Sequence, residues 1–134
     1  TCMRSKALCC VLRVHGNGGT ALLVGDIEAA QERELLSQGL DPVDLLLVPH
    51  HGSKTSSSQA FLDALTPGLA LVQAGYRNRF GHPAAEVVQR YQQRGVRLLT
   101  SVHCGAAFWR SDQPGQVRCE RLAAPRYWRH VPPP

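Results

Sequence analysis

No apolar run in this 134-residue chain approaches the roughly 20 residues that a bilayer span requires. Residues 21–24 and 45–48 are typical such runs, each four residues long, and residues 7–12 make a run of six. The chain also lacks a charged-then-apolar opening of the kind that directs secretion, so the piece reads as soluble. Its five cysteines, Cys2, Cys9, Cys10, Cys104 and Cys119, are odd in number and include no C-x-x-C spacing. That pattern signals neither a disulfide framework nor a zinc finger. The cysteines read mostly as small buried hydrophobes, with a disulfide between distant partners left open. Cys9 and Cys10 are neighbours in an apparent strand, so they point to opposite faces and do not suit joint ligation of one metal. No nucleophile-elbow pattern surrounds Ser53, Ser56, Ser57 or Ser58, which read as turn and cap residues. No repeat and no shift in composition divides the chain, and at 43% hydrophobic it is long enough for one packed domain. A net charge of +5 and a pI near 9.3 suit an anionic partner without requiring one.

What the chain does contain is an alternation of short apolar runs and helix-forming stretches. Residues 7–14 and 20–24 read as two strands joined by the glycine-rich turn His15-Gly16-Asn17-Gly18-Gly19, a β-hairpin. Residues 27–36 predict an amphipathic helix stopped at Gly39, with Asp26 at its N-terminus. A buried strand over 45–48 follows, then a short helix capped by the serines that places Phe61, Leu62 and Leu65 on one side. Residues 69–74 predict another strand, and Pro83 suits the first turn of a helix over 84–94 with His82 at its N-cap. Short strands are expected over 97–99, 106–110 and 116–120. Residues 1–120 form the expected domain, and 121–134 a basic, proline-rich arm that leaves it and ends mobile.

Three loops, each after a strand and before a helix, carry the candidate chemistry: Gly25-Asp26, Pro49-His50-His51-Gly52-Ser53, and Asn78 with His82. If the strands run in one direction in one sheet, these loops converge at one edge, where α/β proteins bind ligands. Asp26 and His82 also have bland readings as helix caps. The double histidine is harder to explain by packing, because neutral imidazole is a frequent metal ligand and a proton carrier near neutral pH. Consecutive side chains diverge, so one imidazole serves as ligand and its neighbour as support. A carboxylate and an imidazole are too few for a divalent ion, which takes four to six ligands. His15, His103 and His130 have no partner pattern and read as solvated.

The string Leu22-Leu23-Val24-Gly25-Asp26, the helix with Glu32 and Leu35-Leu36, the segment from Asp44 through His50-His51-Gly52-Ser53-Lys54-Thr55-Ser56, and Gly75-Tyr76-Arg77-Asn78-Arg79-Phe80-Gly81-His82-Pro83 together resemble one family. It is the metallo-β-lactamase-like domain of the ComEC proteins of DNA internalisation, and the resemblance covers roughly residues 7–110. It implies an α/β fold, the C-terminal half of an αβ/βα sandwich with a mixed sheet and helices on one face. It further implies an inner-membrane parent that moves one DNA strand inward during natural transformation, its nuclease-like domain degrading the other. By the same resemblance Asp26 is the carboxylate that can bridge two metals. His51 is favoured as the last ligand histidine, with His50 its competitor, and His82 lies beside the site for proton transfer or phosphate contact. Lys54, Arg77, Asn78 and Arg79 are the implied DNA phosphate contacts. The implied cofactor is a divalent metal, Mn or Zn, and two such ions can stabilise both the attacking and the leaving oxygen of a phosphodiester. The family's H-x-H-x-D-H motif is absent, as is the aspartate often found just before its final Gly-Ala. The expected partners are therefore single-stranded DNA, an N-terminal half of the same domain, and the rest of the membrane channel. This piece alone is expected to be inactive, to hold no metal stably and to self-associate through an open sheet face. A basic DNA-binding scaffold and a hydrolase of small anionic esters are the competing readings.

Overall fold

The computed structural model describes residues 9–128. Its main sheet has five strands in the order β1 (Leu12–His15), β2 (Thr20–Leu23), β3 (Leu45–Leu47), β4 (Leu69–Val72) and β5 (Arg97–Thr100). The hairpin pairs β1 antiparallel to β2, with Leu12 opposite Leu23 and His15 opposite Thr20. From β2 onward every pairing is parallel. The three crossovers carry α1 (Ala29–Gln38), α2 (Gln59–Leu65) and α3 (Ala85–Gln93). Parallel crossovers share one hand, so steps taken in one direction along a sheet put their helices on the same face. The packing agrees: Leu22, Leu46 and Ala70 meet Phe61, Leu62, Leu65, Val87 and Tyr91 in one buried cluster. Each fully buried large apolar side chain there contributes about 1.5–3 kcal/mol. The result is a mixed α/β sheet with its three crossover helices on one side.

On the opposite face a second hairpin, β6 (Ala107–Trp109) with β7 (Val117–Cys119), forms its own two-stranded sheet. Trp109 and Val117 cover Ala21, Leu45 and Leu69 at one end of the main sheet. Leu12 and Val14, aligned with that face through Leu23 and Ala21, stay 56% and 44% exposed. The continuous leucines of β3 are what a strand covered on both faces looks like, yet Leu47 is only half-buried.

Several expectations shift. The first strand begins at Leu12, residues 9–11 lie outside it, and residues 7 and 8 fall outside the described residues. α1 starts two residues later than expected because Glu28, rather than Asp26, is its N-cap; Glu28 and Gln31 form a reciprocal capping box. α3 has Ala84 as N-cap, so His82 is not a cap and Pro83 precedes the helix. The expected cap role of Ser58 holds, with Phe61 N–H donating to its Oγ. Two short helices were not expected: α4 (Ser101–Cys104) and α5 (Glu120–Ala123). α5 straddles the expected boundary at 120/121, and residues 129–134 of the arm, His130 among them, lie outside the described residues, as does Cys2. Cys104 and Cys119 are joined in a disulfide, which corrects their reading as plain buried hydrophobes. Cys9 is half-buried and Cys10 exposed. No helix among the described residues is long and apolar enough to cross a membrane.

Candidate functional site

Because β2, β3 and β4 are parallel, the loops leaving their C-terminal ends do converge at one edge. The loop after β3 is a tight 3₁₀ turn, Pro49–Gly52, in which His50, His51 and Gly52 have φ of 49°, 54° and 81°. Left-handed backbone costs a non-glycine residue roughly 1–2 kcal/mol, so two successive histidines there require strong external restraint. Pinning comes from several directions. His50 N–H donates to Gly25 O at 3.0 Å, Ala84 N–H to Gly52 O at 2.9 Å, and Ser56 Oγ to Pro49 O at 2.9 Å. Strain held this way is concentrated at functional sites.

Gly52 is fixed twice over. Besides its positive φ, a Cβ there would stand 2.6 Å from Pro83 Cβ and 2.9 Å from Pro83 Cα. Gly52→Ala is therefore expected to destabilise the fold by about 3 kcal/mol, combining left-handed strain with overpacking. Urea denaturation measures it, and a loss under about 1 kcal/mol would show that the turn relaxes freely.

Behind the turn lies a buried polar network. Glu32 is wholly buried in α1, and its carboxylate accepts from Ser57 N–H at 2.5 Å and Ser58 N–H at 2.9 Å. Arg90 Nη1 donates to Ser56 O and Ser57 O. Tyr91 OH and Ser57 Oγ are 2.9 Å apart, and burial pushes the phenol's pKa far up, so it stays protonated. This network holds residues 56–58, and through Ser56 the turn itself.

The two histidines meet different partners. His51 Nδ1 lies 2.7 Å from Gln73 O. A carbonyl only accepts, so Nδ1 carries the hydrogen and neutral His51 presents the lone pair of Nε2. That lone pair faces Asp26 Oδ1 at 3.4 Å. Two acceptors face each other, an arrangement that a proton or a cation between them would relieve. Two donors each about 2.1 Å from one tetrahedral ion stand about 3.4 Å apart, so the pair fits as part of a metal site. Among the described residues no three of His, Cys, Asp and Glu assemble into such a site.

His50 is more buried. Its Nδ1 lies 3.3 Å from Glu28 Oε1 without the alignment of a hydrogen bond. Glu28 Oε1 also accepts from Thr55 Oγ1 at 3.0 Å. The His50 ring is 6.5 Å from that of His51 and 6.1 Å from that of His82, centroid to centroid. The pKa of His82 is lowered, first by burial and then by the repulsion that His50 and His51 exert whenever they are protonated, which favours its neutral form.

Asn78 organises the third loop. Its Nδ2 donates to Gly75 O at 3.1 Å and His82 O at 2.6 Å, while its Oδ1 accepts from His82 N–H at 2.9 Å. With the amide engaged this way, Asn78 holds His82 in place. Arg77, at φ 49°, lies over the Tyr76 ring, and Arg79 lies over the exposed Phe80. Lys54 is exposed in the turn after Ser53. A cavity of about 380 Å³ runs along this edge, lined by His51, Gln73, Asn78, Phe80, His82 and Ser101 among others. A larger one of about 640 Å³ along the β6–β7 hairpin shares no residue with it.

Asp26, His51, His50 and His82 are thus brought together, and Arg77 and Arg79 lie on the adjoining loop. Sequence reasoning missed Glu28, the Gln73 carbonyl and Ser101. Glu28 had a local signal in the capping box with Gln31; the other two act only across the fold. His15 and His103 are exposed, as expected of solvated histidines, each with a hydroxyl neighbour.

No protein-family model matches the chain. It is 36% identical over 126 residues to competence protein ComA of Neisseria gonorrhoeae, covering 92% of this chain and 18% of that protein. It is 34% identical over 109 residues to ComE operon protein 3 of Bacillus subtilis, covering 81% of this chain and 13% of that protein. With recombination protein 2 of Haemophilus influenzae it shares 37% identity over 81 residues, 60% of this chain and 10% of that protein. These are names of the ComEC family of competence proteins, and the chain spans less than a fifth of each relative's length.

Proposed function

We propose that this chain is part of a metal-dependent nuclease domain of a membrane-associated DNA-uptake protein, acting on the strand that is not transported. The observation that carries the reading is the pairing of Asp26 Oδ1 with the Nε2 lone pair of His51 across 3.4 Å at the sheet's C-terminal edge, in a chain similar to competence proteins. Asp26 and His51 would hold a divalent ion, Mn or Zn, which would supply positive charge to a phosphodiester as it is cleaved. His82, held by Asn78, is positioned to take or give a proton. Lys54, Arg77 and Arg79 offer cationic contact to the phosphate backbone of single-stranded DNA.

The remaining ligands would come from an N-terminal half of a metallo-β-lactamase-like sandwich. That half would also cover the face bearing Leu12 and Val14, which otherwise favours self-association. The Cys104–Cys119 disulfide supports a position on the oxidising side of the membrane, where such bonds persist.

Cleavage assays on the complete domain and on the 134-residue chain test the reading. Manganese- or zinc-stimulated cleavage of single-stranded DNA is expected from the complete domain and none from the chain alone. DNA binding by the complete domain without cleavage under any divalent ion would replace the enzyme by a scaffold. Cleavage by the chain alone, abolished by Asp26→Ala, would overturn its inactivity.

A further inference from the structure

We infer that Ser101 is a positioning residue for His51, and that the Cys104–Cys119 disulfide anchors it. His51 donates from Nδ1 to Gln73 O at 2.7 Å. The carbonyl of Gln73 and the N–H of Ala74 belong to one peptide unit, which is planar and turns as a rigid plate. Ser101 Oγ accepts from that same Ala74 N–H at 3.0 Å and donates to Ala74 O at 2.9 Å. One hydroxyl therefore holds the edge of the plate opposite the one that orients the imidazole. β4 ends at Val72, so the sheet ladder does not hold this peptide. Besides the imidazole itself, the Ser101 side chain restrains it.

Ser101 opens α4, a helix of four residues, too short to hold its place by its own hydrogen bonds. Its last residue, Cys104, is only 2% exposed and is bonded to Cys119 at the end of β7. The chain of restraint runs from β7 through the disulfide to α4, from Ser101 to the Gln73–Ala74 peptide, and from there to the imidazole that faces Asp26. A dithiol reductant would break it by thiol–disulfide exchange, which leaves two thiols on the protein and a disulfide on the reductant. Oxidation state then governs how firmly His51 presents Nε2. The inference bears on catalysis only through the function proposed above, but its geometry stands apart from that reading.

The test uses the 134-residue chain without metal or DNA. Long-range nitrogen–proton spectra of the imidazoles report which nitrogen of His51 is protonated, and amide exchange reports Ala74. At alkaline pH, where the ring is neutral, the oxidised chain is expected to show His51 as a single Nδ1–H tautomer with Ala74 protected. Ser101→Ala should give a tautomer mixture and about a tenfold loss of Ala74 protection, the effect of one hydrogen bond, while Ser101→Thr should restore both. Dithiol reduction, or Cys119→Ser, should move both readouts the same way as Ser101→Ala while amides in β2 and β3 stay protected, which separates the effect from unfolding. An unchanged His51 tautomer in Ser101→Ala would overturn the positioning role; an unchanged Ala74 and His51 on reduction would overturn the anchor. Inactivity of the complete domain toward DNA would leave these readouts untouched and would count only against the nuclease.

Discussion

Asp26→Ala is expected to lower metal-stimulated DNA cleavage by the complete domain about a hundredfold or more, with little change in stability. A metal ion contributes several kcal/mol to stabilising charge in a transition state, and each 1.36 kcal/mol is a factor of ten in rate. Asp26 faces His51 from a loop where its side chain is 53% exposed. Its removal opens no core, so thermal or urea stability should stay within about 0.5 kcal/mol. Steady-state cleavage rates with calorimetric metal binding check this. A variant that cleaves as fast and binds metal as tightly as the parent would remove Asp26 from the site. His51→Ala should act in the same direction, whereas Asp26→Asn separates loss of charge from loss of shape.

Glu32→Ala is expected to destabilise the fold by about 3 kcal/mol or more. The carboxylate is wholly buried and receives the N–H groups of Ser57 and Ser58. Deleting it strands one buried and one part-buried donor, the buried one at a penalty of about 1–3 kcal/mol, and leaves a void between α1 and the serine loop. Against a total stability of about 5–15 kcal/mol that is a large share. Urea denaturation reads the loss directly, and Glu32→Gln, which keeps one acceptor, should recover part of it. A change below about 1 kcal/mol would show that water replaces the carboxylate. Since Ser56 in the same loop donates to Pro49 O, milder variants at Glu32 should also loosen the double-histidine turn.

These two residues differ in how they could be read from sequence. Asp26 follows a strand-like run and a glycine, a local pattern that makes it a candidate beside its plainer reading as a helix cap. Glu32 sits among good helix formers, where a glutamate is ordinarily solvated, and nothing within a few residues shows that it faces inward. The same contrast holds at the helix starts. Ser58 was legible as a cap because serine accepts from the helix's own first turn. Glu28 was less so, because glutamate is not a usual cap and its identity as one rests on the reciprocal bond with Gln31.

From the sequence alone came the order of the strands and of the three longer helices, the opening hairpin, the convergence of three loops at one sheet edge and the choice of Asp26 and the double histidine as candidates. Each depends on interactions within a few residues: alternation, glycine conformational freedom and capping. Only the tertiary structure decided which hydrogen His51 carries, that Glu32 is buried, and that Cys104 pairs with Cys119. Those depend on partners 22, 25 and 15 residues away in the chain. A distant carbonyl, amide or thiol leaves no periodic mark near the residue it meets, so the fold has to bring the two together before their chemistry can be seen.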